Sequence, residues 1–190
     1  MKALKLGLCF FLTVILTACS GGEFRSLSSF IDTYNRTSTE KLALTDFILT
    51  DLGSYTAFVG EDDVVLINLK ESNNSKIESI KVIITKSPDT QPNESDIAAF
   101  REVLANSLIA YCSYERETAN ETIKAFALDV NETFYKKGEL TLKKDNYYFV
   151  YYSDEVTNQL MIFNSYLTKI EETSKPVSRP FYGENFIEKD

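Results

Sequence analysis

Residues 138–153 read GELTLKKDNYYFVYYS, and the polar pair in the middle of that stretch decides the fold. Asp145 and Asn146 are turn-forming residues set between two runs that alternate apolar and polar side chains. Folding the segment about this pair places Leu142 opposite Phe149 and Leu140 opposite Tyr151. It also places Thr141 opposite Val150 and Lys143 opposite Tyr148. Leu140 and Leu142 need a buried face, and their partners Tyr151 and Phe149 go with them. Tyr148, Val150 and Tyr152 then lie on the other face, beside Lys143 and Glu139, which prefer water. The turn holds no glycine to ease it. Tyrosine offers a large apolar area with a polar tip, so Tyr148, Val150 and Tyr152 form the candidate binding surface. The competing reading is a central strand covered on both sides, in which Leu160 and Ile162 of the next strand share the face of Tyr148 and Tyr152.

Working outward, the rest of the chain alternates helical and strand-like blocks. Leu27, Phe30, Ile31 and Tyr34 have helical spacing behind Ser26 as N-cap, so a helix is expected over 27–37. Leu42 with Leu44, and Phe47 with Leu49, alternate in opposite phases, which suggests strands interrupted by a bulge. Tyr55 to Val59, Val64 to Leu69 and Ile80 to Ile84 read as further strands. The run Val64-Val65-Leu66-Ile67 is apolar in both phases, as in a central strand. A helix is expected over 95–114, capped by Ser95 and carrying Ile97, Phe100, Leu104, Leu108 and Tyr111 on one face. Another is expected over 119–130, opened by a Thr118/Glu121 capping box. Leu160 to Phe163 completes the strands. The order implies an α+β fold: one domain, an antiparallel sheet of about six or seven strands with helices packed on one face, and an arrangement compatible with two similar α-β halves. A globular domain is expected over 27–170. The residues 171–190, with Pro176 and Pro180, read as an irregular tail.

The beginning of the chain has a different character. Lys2 and Lys5 precede an apolar run from Leu6 to Leu16, too short for the ~20 residues of a membrane-spanning helix but suited to a secretory leader. Leu16-Thr17-Ala18-Cys19 resembles the lipobox of bacterial lipoproteins. That resemblance implies a signal peptide over 1–18, cleavage between Ala18 and Cys19, and a diacylglycerol on the Cys19 thiol. Two or more acyl chains give stable membrane attachment. Ser20 follows, and in this class the absence of Asp at that position implies the outer membrane, facing the periplasm, where the host has two membranes. Residues 19–26 then form a short lipidated tether.

Composition narrows the functions. Apolar residues make up 44% and charged residues 25%, with no His and no Trp. The lack of His removes His-based triads and most zinc sites. The formal charge of −8 becomes about −10 once Lys2 and Lys5 leave with the leader, which disfavours nucleic acid. Cys9 leaves too, and lipid would occupy Cys19, so Cys112 has no partner for an internal disulfide. It flanks an apolar helix face and reads as a buried thiol. The acidic run Glu61-Asp62-Asp63 and the pair Asp154-Glu155 read as solvated turns. N-x-[ST] triplets at Asn35, Asn73, Asn93, Asn120 and Asn131 fit turns and caps. No catalytic, metal or cofactor motif stands out. The expectation is a non-enzymatic binding or accessory lipoprotein that engages an envelope protein or polymer. The alternatives are a protective inhibitor of the immunity or phage-exclusion type, and an enzyme using carboxylates alone. Cys19→Ser should abolish incorporation of a fatty-acid probe and leave the precursor largely uncleaved; undiminished label in the variant would refute lipidation there.

Overall fold

The computed structural model describes residues 25–60, 63–85 and 92–165. Ala18, Cys19, the tether up to residue 24, Glu61, Asp62 and the tail 171–190 lie outside the described residues. The architecture is α+β: among the described residues, one antiparallel sheet of seven strands with three helices packed on one face.

Helix α1 (Leu27–Thr37) has the expected bounds. The Ser26 hydroxyl accepts the Ser29 amide, and Leu27, Phe30, Ile31 and Tyr34 are buried. The strand expected at Leu42 to Leu44 does not form. The Asn35 side chain takes both the amide and the carbonyl of Leu42, at 2.8 and 2.7 Å. Asp46 accepts the Ala43 amide at 2.7 Å. Side chains therefore satisfy the backbone that a strand would have used, and Leu44–Asp46 becomes a 3-10 turn.

A meander follows: β1 (Ile48–Leu49), β2 (Ser54–Val59), β3 (Val65–Glu71) and β4 (Ile77–Thr85). Its bulge lies at Lys70/Glu71 against the start of β4 rather than between Leu44 and Phe47.

Helix α2 (Glu94–Cys112) is buried on most sides, because α1, α3 and the sheet surround it. Its N-cap is Asn93, not Ser95: Asn93 and Asp96 exchange side-chain-to-amide hydrogen bonds of 2.9 Å in both directions. This reciprocal box satisfies two end groups, whereas Ser95 would satisfy one. Helix α3 (Arg116–Ala125) starts and stops earlier than the expected 119–130, and the Thr118/Glu121 box is not used. Arg116 is anchored by Asn106 at 2.6 Å and by the Thr37 carbonyl at 3.3 Å, which fixes the first turn. The helix ends where Ala127 takes a left-handed φ of 51°. Arg101 then holds the Leu128 carbonyl and the Thr133 hydroxyl holds that of Ala127.

The second meander is β5 (Gly138–Lys144), β6 (Tyr147–Ser153) and β7 (Thr157–Asn164). Its first hairpin has the register read from the sequence, with Leu142 opposite Phe149 and Leu140 opposite Tyr151. In place of a glycine, Asp145 takes a φ of 54°, a conformation that Asp and Asn tolerate best among the larger residues. The strand order is β1-β2-β3-β4-β7-β6-β5. The last strand of each meander therefore meets the other at the centre. Ile80 pairs with Ile162 and Val82 with Leu160, and all four are fully buried against the helices.

Candidate functional site: the open face of the sheet

Helices cover one side of the sheet, and the other carries three rows of side chains. The row nearest the Asp145-Asn146 turn runs Lys143, Tyr148, Phe163, Ser79, Lys70, Ser54. The middle row runs Thr141, Val150, Met161, Lys81, Asn68, Thr56, Ile48. The far row runs Glu139, Tyr152, Gln159, Ile83, Leu66, Phe58. Ile48 is 63%, Phe58 51% and Tyr152 37% exposed. Tyr148, Val150, Met161, Phe163, Leu66 and Ile83 are half-buried. Among the described residues, no helix lies on this side. With strands ~4.8 Å apart and rows two residues apart, the face covers about 600 Å².

The structure brings Tyr148, Val150 and Tyr152 together on this face. Leu160 and Ile162 fall on the opposite one, paired with Tyr151 and Phe149, so they do not cover the tyrosines. Six apolar members of the patch, Ile48, Phe58, Leu66, Ile83, Met161 and Phe163, are not among the candidate residues of the sequence. Their signal was the second apolar phase within each strand. Polar contacts stiffen the surface. Asn68 donates to the hydroxyls of Ser54 and Thr56, at 2.9 and 2.8 Å. Lys70 pairs with Glu78 at 3.4 Å, and the Lys143 ammonium stands 5.0 Å from the centre of the Tyr148 ring. Lys81, at the middle of the face, has no ion-pair partner among the described residues.

Other features take different roles. A shallow cleft of about 350 Å³ between α2 and α3 is lined by Arg101, Glu102, Asn120, Ile123, Lys124 and Asp129. Arg101 lies over the Phe134 ring at 5.4 Å, so its guanidinium helps close the core. At the end of α2, the Tyr111 hydroxyl donates to the Glu78 carbonyl at 2.7 Å, and Tyr114 donates to Asp145 at 3.0 Å. Burial pushes the Tyr147 hydroxyl up to about 12. Burial also pushes the Cys112 thiol upward, with the Asp145 charge adding to the effect.

Of the acidic turn residues, Asp63, Asp154 and Glu155 sit apart from the sheet face. Asp63 is an exposed turn residue. Asp154 caps the β6–β7 turn by accepting the Val156 and Thr157 amides. Glu155 pairs with Lys137 on the surface, which holds its carboxyl below the ordinary value. Among the described residues, no three His, Cys, Asp or Glu side chains form a metal-binding group. No described helix is long and apolar enough to cross a membrane.

No family model, curated protein or solved structure matches this chain.

The buried thiol has a measurable consequence. The thiolate is the reactive species, and a free thiol titrates near pH ~8.5. With its pKa raised in the fold, Cys112 should react with maleimide slowly in the native protein and quickly in urea. Its rate should climb at higher pH than that of a free thiol. Fast labelling of Cys112 in the native state near neutral pH, mapped by peptide mass, would contradict the placement.

Proposed function

We propose that the chain is a membrane-anchored envelope lipoprotein whose domain has a non-enzymatic binding or accessory role. The anchor is lipid on Cys19, and the site is the open sheet face centred on Tyr148, Val150 and Tyr152. Where the host has two membranes, the domain stands on the outer membrane and faces the periplasm. The partner is an envelope protein or polymer; an acidic mature chain does not suit nucleic acid.

The observation that carries this reading is the apolar content of the face. Nine apolar or aromatic side chains lie on a surface that the described residues leave uncovered. Apolar patches of several hundred Å² on a soluble domain mark interaction surfaces. The whole face, polar positions included, covers ~600 Å², against the roughly 800 Å² that each partner contributes to a standard interface. The shape also matters: a broad, shallow surface fits a macromolecule, whereas small molecules are bound in enclosed pockets.

The test replaces Tyr148 and Tyr152 together with Ser and follows crosslinking in native envelopes. Both side chains face solvent in part, so the double variant should keep its unfolding free energy to within about 1 kcal/mol while losing the crosslinked partner. A variant that loses stability yet still captures the partner would place these tyrosines in a covered core and remove the site.

A further inference from the structure

We propose that the end of the open face carrying Tyr148, Phe163 and Lys143 rests against the lipid headgroups, so that the sheet stands end-on to the membrane. The inference depends on the proposed lipidation of Cys19 and adds an orientation to it.

Three observations converge on this end. First, the chain is pinned where it reaches the domain. The Arg25 carbonyl accepts the amide of Ile77, the first residue of β4, at 2.8 Å. The Arg25 guanidinium donates to Thr33 at 3.0 Å and to Ser113 at 2.8 Å. Second, only six peptide steps separate Cys19 from Arg25. Six steps can span at most about 20 Å. The nine residues of β4 extend about 30 Å. The anchored end is therefore the near end, and the row of Glu139, Tyr152 and Phe58 is the far one. Third, the two rows differ in chemistry. The near row carries Tyr148, Phe163, Lys143 and Lys70, although Lys70 is already paired with Glu78. The far row carries Glu139 and no cation. Tyrosine and lysine are suited to the headgroup layer, where the ring or stem meets apolar chains and the polar tip stays wet. A carboxylate gains nothing from an anionic leaflet. End-on standing sets Tyr148 at the membrane-side edge of the partner site and leaves Val150, Met161, Ile83, Tyr152 and Phe58 open to an envelope partner.

The chain has no tryptophan, so a single introduced one reports without background. The mature lipidated protein is prepared as Tyr148→Trp and as Tyr152→Trp, each checked for native far-UV dichroism. Both are reconstituted in vesicles of phosphatidylethanolamine and phosphatidylglycerol whose acyl chains are brominated near the headgroup. The two positions lie about 13 Å apart along β6. The Tyr148→Trp variant should be quenched several-fold more strongly than the Tyr152→Trp variant. Equal quenching would mean that the face lies flat, and stronger quenching in the Tyr152→Trp variant would mean that the domain is inverted. Vesicle-bound protein with neither variant quenched would mean that this end is held clear of the lipid. Each of these results overturns the orientation while leaving the anchor intact. Protein that fails to float with the vesicles and carries no acyl mass on Cys19 would overturn the lipidation reading and the orientation with it.

Discussion

Ile80 and Val82 of β4 meet Ile162 and Leu160 of β7 beneath α2, and this antiparallel seam makes one domain from two meanders. The strands on either side are built by local hairpins. The seam is the long-range pairing, and it joins residues about eighty positions apart in the chain. Closing a loop of that length is costly in entropy, and the return comes from apolar burial. Fully burying one such side chain is worth about 1.5–3 kcal/mol, and the seam buries four at its centre, with Phe149, Tyr151, Ile67 and Leu69 in the flanking strands.

The same seam produces the open face. Strand side chains alternate, so setting Ile80, Val82, Leu160 and Ile162 against the helices turns Lys81, Ile83, Met161 and Phe163 outward. Continuing across the sheet, that parity turns Tyr148, Val150 and Tyr152 outward in β6, Leu66 in β3 and Phe58 in β2. Such a face is unfavourable in water unless something covers it. The polar positions limit the harm, since Lys81, Asn68, Gln159 and Thr141 break the apolar rows and discourage indiscriminate association. Area alone does not set affinity, because association costs freedom of motion and imperfect desolvation. The proposed anchor on Cys19 would hold the domain beside its partner, raise the local concentration and offset part of that cost.

Much of this was legible in the sequence where neighbours in the chain are also neighbours in space. Helix α1 and the β5–β6 register follow from spacing and opposite pairs alone. The faces of Tyr148 and Tyr152 followed from the needs of Leu140 and Leu142. The misreadings occur where a side chain, near or far along the chain, takes backbone groups that the apolar pattern assigns elsewhere. Asn35 and Asp46 draw the backbone near Leu42 away from a strand. Asp96 makes Asn93 a better cap than Ser95. Arg116, held by Asn106 and Thr37, fixes the start of α3 ahead of its apparent capping box. The rest of the open face was hidden because it is assembled by long-range strand pairing. Phe58, Leu66, Ile83, Met161 and Phe163 become one patch with the tyrosines only once β4 is known to pair with β7.

Met161 and Ile162 are adjacent in the chain and stand on opposite faces at the seam. Urea unfolding of Met161→Asn and Ile162→Asn tests the one-sided core most directly. Asparagine at 162 would bury an unsatisfied amide and remove packed apolar volume, so a loss of about 3–5 kcal/mol is expected, or failure to fold. Asparagine at 161 should cost about 1 kcal/mol or less, as at other partly exposed sites. Comparable large losses at both positions would mean that the second face is also core, and would contradict an open sheet available to a partner.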